Sequence, residues 1–588
     1  MTPNFKNTIR ILLFLLLAEL HSKAEEKYAI GMFHFNLQYV AGDYKIESRI
    51  IRESVYPVLQ FFEKNPQYKS DIEIQGYAIE VFAEEHPEVL ALLKKLVNRG
   101  QIELVIAHYS DQFFIGYPAL DLQKSIEISD QILEKHGLKR SRVFFGQEIQ
   151  WTPAYASVLK GKYDLVATSS DPHSYYRTET LPLVNIRYGN DQILGLIDSK
   201  KNLDGLTWDY AFLDDGEVFN SLDYRSNFYR VPAQEKESAD RFKKLEKEGY
   251  KFVTMTELAN KIKKLKGYQI PDYSFVPEGT WNMSVCGPFM WMGRQRSGVE
   301  TDGITRALSY KLRSVVLLAE SLIDFAASKG IDVTELKAML NQAWRHLLLS
   351  EVSDSSGWTP WLVEVQYTAS EVANANKILK ELMDKLKEIL PLGNKPYRVD
   401  THSGKVEPDV LHNTNAPKAG ILPVAFAVRA DKVTSVTKQL NENLFSLEIK
   451  CTRPDDGAVE IIFDTAAKGL FYSAGTGEET AVEIPTDLKH DPAFTLSNGF
   501  IYLGNGYSLV KDCSVEHLAA TWKMKEQKLV FRQELNEENM EMNMRFYLIK
   551  GDVTKGLELG NRLNTWPSFR INISNNKLNY EKIMPESI

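Results

Sequence analysis

The chain has 588 residues, 44% of them hydrophobic and 25% charged, with a net charge of −8. That is ordinary globular composition, long enough for several domains, and the absence of any long basic run argues against a nucleic-acid partner. Cys286, Cys451 and Cys513 are too few for a disulfide framework. A single Cys451–Cys513 bridge on facing strands stays open beside the plainer reading of buried free thiols.

At the N-terminus, Lys6 and Arg10 precede the apolar run Ile11–Ala18, and Ser22-Lys23-Ala24 places small residues where signal peptidase reads. Residues 1–24 are therefore read as a signal peptide, and an exported protein beginning near Glu25 is expected. The apolar run is too short to span a bilayer, and no later stretch is long enough to do so.

From 25 to 280 the texture alternates strand and helix. Lys27–Phe35 reads as a strand, Ser48–Asn65 as a helix, Ile72–Phe82 as a strand and Pro87–Asn98 as a helix ended by Gly100. Gln101–Ala107, Leu122–His136 and Val143–Ile149 continue as strand, helix, strand, and Tyr155–Leu159 and Asp164–Thr168 repeat the unit. Tyr250–Thr254 and Thr256–Leu265 form a late strand and its helix. Such units predict a parallel sheet with right-handed crossovers, and in this length a closed or nearly closed barrel.

Residues 281–395 are helical: Gly303–Ala327, Val333–Ser350 and Ser370–Ile389 carry apolar residues at three- and four-residue spacing. They predict a small bundle packed on the barrel. From 396 to 588, short alternating segments such as Leu444–Lys450, Val459–Phe463, Leu529–Gln533 and Met542–Leu548 predict a β-sandwich.

One segment concentrates the chemistry. In VFFGQEIQWTP (Val143–Pro153), an apolar strand runs into Glu148, with Trp151 close behind. A carboxylate at the C-terminal mouth of a barrel strand, beside a large aromatic, is an arrangement used for sugar chemistry. A second acidic cluster, Asp214-Asp215-Gly216-Glu217, follows Trp208–Phe212. Each alone is more ordinary: a carboxylate after a strand is usually a satisfied loop residue, and DDGE is more often a turn or a calcium-binding loop than a catalytic acid. His34, His108 and His173 stand at or beyond strand ends, where they can bond sugar hydroxyls or sit in the core. Trp151, Trp208, Trp281, Trp291 and Trp358 can stack on sugar faces or simply pack. No two histidines are four residues apart, and there is no HExxH or paired Cys-x-x-Cys. No metal and no cofactor are expected.

Taken in order, these segments resemble glycoside hydrolase family 57. His34, Leu37 and Tyr39 of HFNLQY match its first motif, with Asn36 and Gln38 where some members carry His and Pro. GQIEL (Gly100–Leu104) resembles the second motif, with Asp111 in the loop beyond. In GQEIQWTP, Glu148 stands where that family has its nucleophile. TSSDPHSYY (Thr168–Tyr176) resembles a loop carrying Asp171 and His173. DDGEVF (Asp214–Phe219) resembles the motif with the general acid, Asp215 aligning best and Asp214 second. PEGTW (Pro277–Trp281) with Trp291 resembles a tryptophan lip, and LLLSEVSDSSGW (Leu347–Trp358) a segment over the site, with Asp354 as its acid.

The resemblance implies an α/β fold: an incomplete (β/α)7 barrel followed by a helical bundle and a C-terminal β-sandwich. It also implies a retaining enzyme that hydrolyses or transfers α-linked glycans, an α-glucan or α-galactoside. Glu148 would be the nucleophile and Asp215 the acid/base. His34, His108, Asp111, Trp151, Asp171, His173, Trp208, Trp281, Trp291, Asp354 and Trp358 would contact the sugar. The departures at Asn36 and Gln38 keep a non-catalytic glycan-binding protein on the same scaffold as the alternative.

Overall fold

The computed structural model describes residues 26–37, 44–177, 181–198, 201–216, 222–223, 229–230, 233–273, 275–281, 283–286, 291–293, 300–357, 362–393, 395–409, 417–477, 479–536, 540–574 and 577–585. The segment read as a signal peptide lies outside these residues, as do Tyr39, Glu217 and Trp358.

The first strand, β1 (Glu26–Phe35), is apolar along nearly its whole length and buried on both faces. That is the signature of the centre of a parallel sheet covered on each side. It is joined in parallel by β2 (Ser70–Ile74), which is followed by β3 (Ile102–Val105) on the outer side. A second parallel sheet contains β4 (Val143–Phe145) and β5 (Leu165–Ser169); an antiparallel hairpin, β6 (Leu183–Tyr188) and β7 (Asp191–Asp198), extends it, with β7 parallel to β5. The short β8 (Asn202–Leu203) turns into β9 (Leu206–Asp215), which returns to the first sheet beside β1. The two-residue strands β10 (Leu222–Asp223) and β11 (Tyr229–Arg230) pair with each other, and β12 (Lys251–Phe252) runs parallel to the start of β1. Among the described residues the ladder is therefore carried by two sheets rather than one continuous wall.

Register places the chemistry. His34 on β1 lies opposite Glu73 on β2 and opposite Asp215 on β9. Directly opposed residues share a sheet face, so three neighbouring strands present Glu73, His34 and Asp215 in one row near their C-terminal ends.

Two apolar runs end sooner than their composition implies. The run Ile72–Phe82 reads as one strand, but β2 stops at Ile74 and a helix, Gly76–Glu85, begins. A Cβ on Gly76 would stand 2.6 Å from Ser129 Oγ of the helix Ala119–His136, so the close approach needs glycine. Likewise β4 stops at Phe145, and Gln147–Ile149 forms a single tight turn.

Three long helices follow: Asp302–Ser328, Thr334–Ser350 and Leu362–Ile389. The first is capped by Thr301, whose side chain accepts from the Ile304 amide. Their apolar faces join the helices that cover β1–β3 in one core, with Val316, Leu322, Leu347 and Leu382 packed with Phe62, Ile79 and Leu93.

Beyond Tyr397 the described structure is mostly antiparallel. An eight-stranded and a five-stranded sheet are held together by residues such as Leu447, Ile449, Phe463, Phe531 and Phe546. The rings of Phe463 and Phe546 meet edge to face at 5.0 Å. That core continues without a break into Phe144, Trp151, Tyr155 and Val166 around the second parallel sheet. A further four-stranded sheet pairs Tyr397–Asp400 with Ser568–Ser574 and lays Val399, Phe569 and Ile571 on the helical core. Cys451 and Cys513 are buried free thiols, and the bridge left open above is not made. Among the described residues no helix is long and apolar enough to cross a membrane.

Candidate active site

A cavity of about 490 Å³ opens at the C-terminal ends of the parallel strands. Its floor and walls come from β1 (Met32, His34 and Asn36 just beyond), the end of β4 (Phe145) with Gln147, Glu148 and Ile149, Ser169 of β5, and Leu213, Asp214 and Asp215 of β9. The helical region adds Asp354, Ser356 and Glu364, and Trp281 and Trp291 close the rim.

Glu148 sits on a constrained turn. It has φ +56° and Ile149 has φ +45°. Left-handed backbone at two successive non-glycine residues, one of them β-branched, stores strain that the surroundings must hold. Gln150 does much of that: its Nε2 donates to the carbonyls of Gln112 at 2.9 Å and Gln147 at 2.8 Å, and its Oε1 accepts from the Ile115 amide at 3.2 Å. The Trp281 amide donates to the Glu148 carbonyl at 3.2 Å. Gly146, before the turn, has no room for a Cβ, which would stand 2.9 Å from the Phe114 ring.

The Glu148 carboxyl faces donors. Trp281 Nε1 donates to Oε2 at 2.5 Å; Gln147 Nε2 and Ser353 Oγ donate to Oε1 at 3.2 and 3.4 Å. Burial nonetheless pushes its pKa up to about 8; Asp354 adds most of the remainder and Asp215 some, while the Trp281 bond and His34 pull the other way. The Asp215 carboxyl is also raised, by burial first and by Asp214, against the pull of His34. Burial opposes protonation of His34, yet Glu73, bonded to its Nδ1, outweighs it together with Asp111 and Asp215, so the imidazole pKa stands well above its usual value. The charged form of His34 is thus favoured by its place between Glu73 and Asp215.

Of the residues singled out in the sequence, His34, Glu148, Asp214, Asp215, Trp281, Trp291 and Asp354 line this cavity. The remaining described ones are not among its lining. Trp151 is wholly buried, its Nε1 donating to the Val276 carbonyl at 3.2 Å, and Trp208 packs in the core with Tyr28 and Leu206. His173 lies against Trp151 with Nδ1 on the Tyr273 hydroxyl at 2.6 Å, and burial holds its pKa down to about 3. Asp171 accepts from the Ser284 amide at 3.1 Å and from its hydroxyl, anchoring the short helix Met283–Cys286. His108 and Asp111 stand one layer behind. His108 Nε2 accepts from the Gln147 amide at 3.2 Å, and Asp111 accepts from Gln75 at 2.6 Å. Burial holds His108 down to about 4 and raises Asp111. These six do not line the cavity: in the described structure they pack or hold a neighbour in place. Trp358 lies outside the described residues.

The sequence reading passed over Glu73, Gln147, Ser169, Ser356 and Glu364. Glu73 carried a signal: a carboxylate inside the apolar strand Ser-Asp-Ile-Glu-Ile, fully buried, needs a partner. Glu364 carried none, since only the path of the helix Leu362–Ile389 brings it to the cavity. Arg306, wholly buried, holds the segment bearing Ser353 and Asp354. Its guanidinium donates to the carbonyls of Glu351, Val352 and Ser353 at 3.3, 2.8 and 3.0 Å, and to Ser356 Oγ. Among the described residues no group of His, Cys, Asp and Glu is arranged to hold a metal ion.

The C-terminal ends of the parallel strands bring two carboxyls and an imidazole to one cavity, the face on which parallel α/β folds carry their ligand sites. Residues 11–240 match the model of glycosyl hydrolase family 57, about two fifths of the chain. It is 27% identical over 115 residues to an alpha-amylase of Pyrococcus horikoshii, a stretch covering 20% of this chain and 18% of that protein. It is 27% identical over 107 residues to a 4-alpha-glucanotransferase of Thermococcus litoralis, covering 18% and 16% respectively. The matched stretches thus span less than a fifth of these relatives. Among solved structures, an alpha-mannosidase from Enterococcus faecalis aligns over 89% of this chain and 87% of its own, with a TM-score of 0.54 at 9% identity. That likeness is one of fold.

Proposed function

We propose that the protein is an exported retaining glycoside hydrolase or transglycosylase acting on α-linked glycans, an α-glucan or an α-galactoside, with Glu148 as nucleophile and Asp215 as acid/base. The observation that carries the reading is that Glu148, at the end of one parallel sheet, and Asp215, at the end of the other, line the same cavity. On this reading the two sheets are the walls of an incomplete seven-stranded barrel. Export rests on the leader-like residues 1–24.

In the first step a Glu148 oxygen attacks the anomeric carbon as the bond from that carbon to the leaving oxygen breaks. Asp215 gives its proton to that oxygen. In the second step Asp215 takes a proton from water, or from an acceptor hydroxyl, whose oxygen displaces Glu148. The three donors on the Glu148 oxygens favour its anion, and the like charges of Asp354 and Asp215 oppose it. His34 offsets the negative charge of Asp215 and can bond a sugar hydroxyl. Asp214, whose carboxyl accepts from the Asp215 amide at 2.9 Å, orients the acid/base strand end. Trp281, 41% exposed at the rim, offers a stacking face.

The test is a screen of purified protein against aryl α-glycosides and short α-glucans, with Glu148→Gln as control and the anomer followed by NMR. Turnover with retained configuration that Glu148→Gln abolishes is expected. An inverted product would overturn the nucleophile, and binding without turnover would leave the glycan-binding alternative.

A further inference from the structure

Glu73 is an unusual residue for its strand. β2 reads Ser-Asp-Ile-Glu-Ile, and all five residues are buried. A carboxylate buried there costs free energy unless it is compensated, and an apolar pair of similar volume is often less costly than a buried ion pair. The compensation comes from the cavity side. Glu73 Oε2 is bonded to Nδ1 of His34, directly across the ladder between β1 and β2, while Glu73 Oε1 has no partner among the described residues.

This contact settles which edge of the imidazole the cavity meets. Nδ1 is committed to Glu73, so Nε2 is the nitrogen left for the space that His34 lines. The contact also bears on what Nε2 offers. In a neutral ring protonated on Nδ1, Nε2 is an acceptor; in the charged ring it is a donor. The titratable groups that face His34 come from several elements. Glu73 stands on β2, Asp215 on β9 with Asp214 beside it, Asp111 and His108 beyond β3, and Glu148 on the turn after β4. Burial opposes the charged ring, and Glu73 is the largest influence in its favour, ahead of Asp111 and Asp215.

We propose that Glu73 is a positioning residue of the active site: it fixes the His34 ring so that Nε2 meets the substrate as an N–H donor, and through that ring it keeps a positive charge beside Asp215 while Asp215 gives up its proton. The inference rests on the glycosidase reading above and adds a residue to it. In the first step Asp215 passes its proton to the leaving oxygen and is left as an anion, opposite His34 on the neighbouring strand. A charged imidazole there makes Asp215 the stronger acid, and a neutral one does not.

The experiment uses Glu73→Gln, which keeps the shape and removes the charge, on material whose circular dichroism matches the parent. Imidazole resonances are followed by NMR from pH 5 to 8, with His34 assigned by its loss in His34→Asn. The ring should stay charged over that range in the parent and should lose its proton about one pH unit lower, or more, in Glu73→Gln. An unchanged His34 titration would overturn the proposal whether or not the protein turns over a glycoside. On an aryl α-glycoside that the parent cleaves, both limbs of the kcat/KM profile should move to higher pH in Glu73→Gln by about half a unit or more, because His34 no longer favours the anions of Glu148 and Asp215. The loss of rate should be about tenfold larger for leaving groups that need the Asp215 proton than for those that do not. Limbs that stay in place in an active enzyme would overturn the proposal and limit Glu73 to packing. A parent without turnover would remove the glycosidase reading, and the NMR titration would then decide whether Glu73 sets the state of His34. Should Glu73→Gln fail to fold, Glu73→Asp keeps the charge and withdraws it by one methylene. It should move the same readings in the same direction by less, and unmoved readings there would overturn the proposal as well.

Discussion

Glu148 carries donors on both oxygens and like charges behind it, so its ionisation is a balance that single substitutions can tip. Asp354→Asn removes the larger of the neighbouring charges. The charged form then becomes easier to reach, the Glu148 pKa falls from about 8, and the acidic limb of the kcat/KM profile should move to lower pH by about half to one unit. An unmoved limb would mean that Glu148 is not the group titrating there. Glu148→Ala should lose activity by several orders of magnitude, and azide should restore part of it on a substrate with a good leaving group, giving a glycosyl azide of inverted configuration. Asp215→Ala should instead spare substrates whose leaving group needs no proton. Exchange of these two phenotypes would exchange the roles. Glu148 was legible in the sequence because an apolar strand running straight into Gly-Gln-Glu marks a strand mouth. Trp151 and His173 were not distinguishable from ligand contacts. A tryptophan or histidine near a site looks the same in sequence whether it faces the cavity or, as here, another ring 4.3 Å away.

At the scale of elements, the segment from Glu351 to Ser356 is held at the site by Arg306, on a different helix, which gathers its carbonyls, and by its pairing with Asp111–Phe113. Arg306→Met takes a donor from all three carbonyls; Glu351 keeps the Phe113 amide and Ser353 the Ser356 amide, so the loss falls on Val352, at about 1–3 kcal/mol if no substitute is found. It should also release Asp354 from beside Glu148. Loss of activity should therefore come with the same downward shift of the acidic limb as in Asp354→Asn, measured on material whose circular dichroism matches the parent. A loss of stability without that shift would limit Arg306 to packing. The long helices were readable from their spacing, to within a residue or so at both ends of Asp302–Ser328 and Thr334–Ser350. The switch from strand to helix after Ile74 was not, since Ile72–Phe82 is apolar enough for either. The helix packs so closely there that a Cβ on Gly76 would meet Ser129, far along the chain, a contact the local pattern does not show.

For the whole molecule, the sandwich and the second parallel sheet share one core, and polar contacts reinforce it. Glu278, three residues before Trp281, accepts from the amides of Gly475 at 2.6 Å and Thr495 at 2.9 Å, both in the C-terminal region. Burial raises its pKa to about 7 against the pull of those amides. The folded state therefore holds a proton that the unfolded chain, with a carboxyl near its ordinary value of about 4.3, has released. Stability from this group is greatest below the unfolded value and is lost as pH rises toward 7. In Glu278→Gln the midpoint of urea unfolding should vary less between pH 5 and 7.5 than in the parent; equal slopes would remove Glu278 from the account. A single transition by fluorescence and by circular dichroism is expected, because neither core closes without residues from both regions.

The pairing of Tyr397–Asp400 with Ser568–Ser574 also sets an order in time. Val399 waits on a strand that leaves the ribosome long after it, and the sandwich strands must be made in between. Until Phe569 and Ile571 arrive, part of the helical surface stays uncovered. A nascent chain interrupted in the sandwich is thus left with an exposed apolar face, available to chaperones and proteases before any finished molecule exists.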